Sequence, residues 1–109
     1  MATTLIRNGF LGGALAGMGA AAKQFSIDPT DYATIVNAAD AFATEALTEN
    51  AALVAPMADA DSAYIGEVCR AAAFSATFGA FRTSATAADY LASAKQAAAM
   101  AKQAVAKLV

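Results

Sequence analysis

Apolar residues return every three or four positions along most of this chain, and clusters of turn-forming residues divide it into four segments. The clearest begins at Asp28-Pro29-Thr30-Asp31, which places Asp at the helix cap, Pro at the first helical position and a carboxylate three residues after the cap. From there Tyr32, Ile35, Val36, Ala39, Phe42, Ala43, Ala46 and Leu47 recur at helical steps, while Asp40, Thr44, Glu45, Thr48 and Glu49 take other faces. This predicts a helix over 29–50. Pro56 interrupts the pattern, and Asp59 or Asp61 can cap the next helix.

In that next segment Tyr64, Ile65, Val68, Ala71, Ala72, Ser75 and Phe78 form one stripe, widened by Phe74 and Phe81. The spacing predicts a helix over 62–82, the most buried of the set. Thr86-Ala87-Ala88-Asp89 has capping-box spacing, with Asp in place of Glu or Gln. It opens a helix over 87–108, with Leu91, Ala94, Ala98, Ala101, Val105 and Leu108 at alternating steps of three and four.

The remaining segment, NGFLGGALAGMGAAAKQF at 8–25, is harder to place. Its glycine spacing matches neither a dinucleotide-binding fingerprint nor a phosphate loop. The fifteen residues between Arg7 and Lys23 make roughly 22 Å of helix, short of a hydrocarbon core of about 30 Å. As a helix over 5–25 it shows two faces: Leu11, Leu15, Met18, Ala22 and Phe25 on one, and Gly9, Gly13 and Gly17 on another. Five glycines at about 1 kcal/mol each cost such a helix about 5 kcal/mol relative to alanine. Close approach of another backbone along the glycine stripe is the physical offset. The alternative is a flexible N-terminal arm.

Four segments of about 21 residues, each roughly 31 Å long as a helix, predict an all-α four-helix up-down bundle in one domain over 1–109. Within it, 1–25 is a Gly-rich helix or interaction arm and 28–109 supplies three amphipathic helices. Composition agrees and adds a constraint. The chain has 34 alanines among 109 residues, so its 59% hydrophobic content overstates the area available for burial, and the helices must sit close together.

Charge narrows the function. A net charge of −2 argues against a nucleic-acid partner, which requires clustered Lys and Arg. No signal peptide is evident, and the lone Cys69 excludes an intramolecular disulfide. The expected location is a virion or the cytoplasm. The absence of His removes the commonest general base and metal ligand, and Cys69 reads as a small core residue. Asp28, Asp31, Asp59, Asp61 and Asp89 all lie at predicted helix starts, where capping accounts for them. No catalytic, cofactor or metal site is expected, and the chain is read as a non-enzyme.

One charge feature stands out. Residues 28–67 contain eight acids and no base, whereas 70–109 contain five bases and one acid, Asp89. Glu45 and Glu49 lie one helical turn apart near the end of their helix, where the dipole and their mutual repulsion disfavour both. Lys102 and Lys107 are the natural counterparts, within the chain or in another copy.

Together these features point to a structural or assembly protein acting by self-association or by docking on a larger homo-oligomer, such as a capsid accessory or neck component of a virion. Gly9, Gly13, Gly17, Glu45, Glu49, Lys102 and Lys107 are the candidate interaction residues. Two other classes remain open: a membrane-surface or membrane-inserting protein using residues 5–25, and a module holding an apolar small molecule among Phe42, Phe74, Phe78 and Phe81.

Overall fold

Good helix-forming residues dominate every segment between the turn signals, and all regular structure among the described residues is helical. A computed structural model of the chain describes residues 2–24, 32–55 and 59–81. It contains α1 (Ala2–Gln24), α2 (Tyr32–Glu49), a single turn α3 (Ala51–Val54) and α4 (Asp59–Phe81). The N-terminal segment is a helix. The fourth segment, 87–108, lies outside the described residues, as do Phe25, Pro56 and the Asp28–Asp31 start signal. Three long helices are therefore in view rather than a complete four-helix bundle. The radius of gyration, 13.1 Å, is that of a compact chain of this length.

The centre of the array is α1. It packs along both α2 and α4, which scarcely meet one another among the described residues. It buries Ile6, Phe10, Ala14, Met18 and Ala21 at helical spacing, and α2 adds Ile35, Ala38, Ala39, Phe42, Ala43 and Ala46 to the same core. Phe10 and Phe42 meet edge-to-face, with ring centroids 6.1 Å apart at 79°. Arg7 in the N-terminal third of α1 reaches Asp40 at 2.5 Å midway along α2 and Thr44 at 3.4 Å one turn further on. With Arg7 so placed, a parallel α2 would set Tyr32 beside the start of α1, roughly 36 Å from Gln24 and beyond the roughly 28 Å that eight residues can span, so the two helices run antiparallel. The ion pair is largely exposed, so it fixes register more than it stabilises.

The α4 pairing has the opposite sense. Gly9, Gly13 and Gly17 of α1 lie against the backbone of Gly66, Arg70 and Phe74 respectively, an advance of four residues on each helix in the same direction. Successive long helices therefore run up, down and up.

Two expectations about burial are corrected. The segment over 62–82 is not the most buried helix; that position belongs to α1. On α4 the core takes Ile65, Gly66, Cys69, Ala73, Ala76 and Thr77, whereas Tyr64 is 70% and Phe74 40% exposed and Phe78 only borders the core. Steric fit decides this: a partner presenting bare glycine is approached most closely by a face that is itself small. Tyr64 and the Phe74 ring are thereby left to solvent beside the seam. Val36 of α2, placed by its spacing in the buried stripe, is 51% exposed for a related reason, since α4 does not come round to cover it. On α1, Ile6 and Phe10 carry the core contact, and Leu11 and Leu15 pack at its margin.

Candidate interaction surface

The α1–α4 seam brings two backbones into close contact, and its geometry follows from the glycine spacing. A Cβ added at Gly9 would clash with the Gly66 carbonyl oxygen, one at Gly13 with the Arg70 carbonyl oxygen, and one at Gly17 with the Thr77 hydroxyl while lying 2.7 Å from the Phe74 carbonyl oxygen. That direction is occupied in glycine by an α-hydrogen. Each glycine thus aims a C–H bond at an oxygen of α4, the arrangement of weak Cα–H···O contacts at tightly packed helix pairs. Thr77 is buried, and its hydroxyl donates to the Ala73 carbonyl at 2.7 Å, so a polar group enters the seam without losing its hydrogen bond.

Gly12 and Gly19 lie off this row. At Gly12 only the end of the Arg70 side chain would be displaced, and at Gly19 a Cβ would meet nothing within 4 Å. The three candidate glycines therefore share one surface, and α4 of the same chain occupies it.

Glu45 and Glu49 sit on the C-terminal half of α2, Glu45 half-buried and Glu49 exposed. Lys102 and Lys107 lie outside the described residues. Asp40, on the same helix, is taken by Arg7, a partner that the charge segregation between 28–67 and 70–109 did not suggest. Phe42 belongs to the α1–α2 core, while Phe74 and Phe78 stack on each other on α4, with centroids 6.0 Å apart at 10°. For membrane contact through residues 5–25, Ile6, Phe10, Ala14 and Met18 would first have to leave the core. No helix of the described residues is long and apolar enough to cross a membrane.

Little reactive chemistry accompanies these surfaces. A shallow groove of about 310 Å³ opens between the N-terminal halves of α1 and α4, lined by Leu5, Asn8, Gly9, Ala63, Gly66, Glu67 and Arg70. Its charged groups are exposed and pair with each other, Glu67 with Arg70 at 3.6 Å. Among the described residues no group of three or more His, Cys, Asp or Glu could hold a metal ion. Asn50, fully buried after α2, donates through Nδ2 to the Ala46 carbonyl at 2.7 Å, while its Oδ1 accepts no hydrogen bond. It joins α2 to the α3 turn, which sequence periodicity did not predict.

Burial pushes the Cys69 thiol up from 9.0 to about 11. Loss of solvation disfavours the thiolate, and the thiolate is the nucleophile. Iodoacetamide at about pH 8 is expected to leave Cys69 unmodified in the folded chain and to label it rapidly in denaturant; equal rates would place the thiol at the surface. Because its folded pKa is the higher one, the stability that the neutral thiol contributes is fully present below about pH 9 and is lost as pH rises towards about 11.

No protein-family model, curated protein or solved structure matches the chain.

Proposed function

We propose that this chain is a non-enzymatic structural subunit, an up-down four-helix bundle completed by residues 87–108, that works by associating with copies of itself or docking on a larger homo-oligomer. A virion component, such as a capsid accessory or neck protein, is the setting that suits its composition. The observation that carries this reading is the separation of charge along the chain. The acids of 28–67 have no base among them, and on α2, beyond the Asp40 that Arg7 holds, Glu45 is half-buried and Glu49 exposed. The bases Lys102 and Lys107 of another copy complement these acids, and such contacts favour assembly in a fixed orientation.

Exposed ion pairs are screened over about 8 Å at physiological ionic strength. Oligomer size measured by light scattering is therefore expected to fall as salt is raised, while the helical circular dichroism of the subunit stays constant. Charge reversal at Glu45 and Glu49 should act in the same direction at low salt, and restoring the pairing with Lys102→Glu and Lys107→Glu should not be needed for folding. Assembly indifferent to salt and to these substitutions, or a chain that is monomeric at every concentration, would refute the reading.

A further inference from the structure

Beside its buried seam, α4 presents to solvent a short series of residues whose order has a particular symmetry. Tyr64, Glu67, Arg70 and Phe74 follow one another at steps of three, three and four, and all are exposed, Tyr64 at 70% and Phe74 at 40%. At 100° per residue these positions, with the exposed Ala71 among them, span about a third of the circumference and so form one face. Along the helix the face reads aromatic, acid, base, aromatic.

Two copies of that face laid parallel and in register would set Glu67 on Glu67 and Arg70 on Arg70, which like-charge repulsion disfavours. Laid antiparallel about a two-fold axis near residue 69, they set Tyr64 opposite Phe74 of the second copy and Glu67 opposite Arg70 of the second copy, and each pairing occurs twice. This is the self-complementarity that a two-fold interface requires. Ala71 then lies across from the methylene stem of Glu67 of the second copy, where a small residue leaves room for it.

We propose that a second copy of this chain docks on this face, α4 against α4 and antiparallel. The inference rests on the reading that the chain associates with itself, and it adds a surface separate from the acids of α2. Within one copy, Glu67 and Arg70 approach only to 3.6 Å, and both side chains are more than half exposed, so each keeps donor or acceptor positions for a group of the second copy. The Phe74 ring is already held by stacking on Phe78, with centroids 6.0 Å apart at 10°, which lowers the ordering cost of covering it. Tyr and Arg are also among the residues that most often carry binding energy at interfaces. A single helix pair covers less than the roughly 1,200–2,000 Å² of a standard interface, so the dimer should dissociate on dilution.

Charge-swapped variants of the full chain test this, because each removes the pairing within a copy as well as between copies. Glu67→Arg puts two bases on the face and Arg70→Glu two acids, so sedimentation velocity should find each variant monomeric at concentrations where the wild type is dimeric. Mixed in equal amounts, the two variants should form a heterodimer, since every base of one then meets an acid of the other. Tyr64→Lys is a second variant that touches neither the seam nor the charge pair, and it should weaken dimerisation by about tenfold or more while the helical circular dichroism stays that of the wild type. A mixture that stays monomeric, or a dimer as tight in Tyr64→Lys as in the wild type, would overturn the proposal. Loss of a wild-type dimer only on charge reversal at Glu45 and Glu49 would overturn it too, while leaving self-association through α2 standing. A wild-type chain that is monomeric at every concentration would overturn both.

Discussion

Gly13→Ala is expected to destabilise the fold, although alanine is the better helix former by about 1 kcal/mol. The added methyl would clash with the Arg70 carbonyl oxygen and lie 2.8 Å from the Ala73 Cβ. Neither neighbour is the end of a flexible side chain, so α1 and α4 must move apart and the whole seam loses contact. Overpacking of this kind costs about 1–3 kcal/mol, and that exceeds the gain in propensity. Gly13→Leu should be worse, leaving the α1–α4 pair unable to close. Gly19→Ala provides the control of opposite sign, because its methyl meets nothing within 4 Å and the substitution should stabilise by about 0.5–1 kcal/mol. Urea midpoints for the two alanine variants beside the wild type decide the matter. Stabilisation at both positions would show that the glycine row does not set the distance between the helices.

The second large effect is at the α1–α2 interface. Phe10→Ala and Phe42→Ala each remove a fully buried ring, and each is expected to cost about 3–5 kcal/mol through lost transfer energy and the cavity left behind. In a domain of about 5–15 kcal/mol net stability, either change approaches the threshold of unfolding. Because the rings touch edge-to-face, the double variant should lose less than the sum of the two, by about 0.5–1.5 kcal/mol. Strict additivity in a thermodynamic cycle would mean that the rings contribute as separate buried surfaces and not as a pair. The contrast with the glycine seam is physical: few large side chains serve one interface, and contact between near-bare backbones serves the other.

Much of the architecture is legible along the chain. The helical character follows from alanine content and from three- and four-residue periodicity, and the observed helices fall within a turn or so of the segments expected over 5–25, 29–50 and 62–82. The glycine row at 9, 13 and 17 is also legible as a close-approach face, because its propensity cost demands an offset. Its partner is not. Nothing local says whether a bare stripe meets another helix of the same chain or another copy; the register of Gly9 on Gly66 and Gly13 on Arg70 answers this for the described fold.

The misassigned faces have one cause. Periodicity finds the helix face richest in large apolar residues and takes it as buried, which works for α2, where Ile35, Ala39, Phe42 and Ala46 all reach the core. On α4 apolar residues occupy most of the circumference, so composition cannot rank the faces, and the choice falls to steric fit with the glycines of α1. The sequence by itself determines that the described segments are helical, their extent to within about a turn, and that one of them needs an intimate neighbour, because these depend on backbone preference and spacing along a single segment. Only the tertiary structure decides that α1 is central, that α4 turns its small residues inward and Tyr64 and Phe74 outward, and that Arg7 pairs with Asp40, because each of these is a competition between surfaces far apart in the chain, settled by which pair can approach most closely.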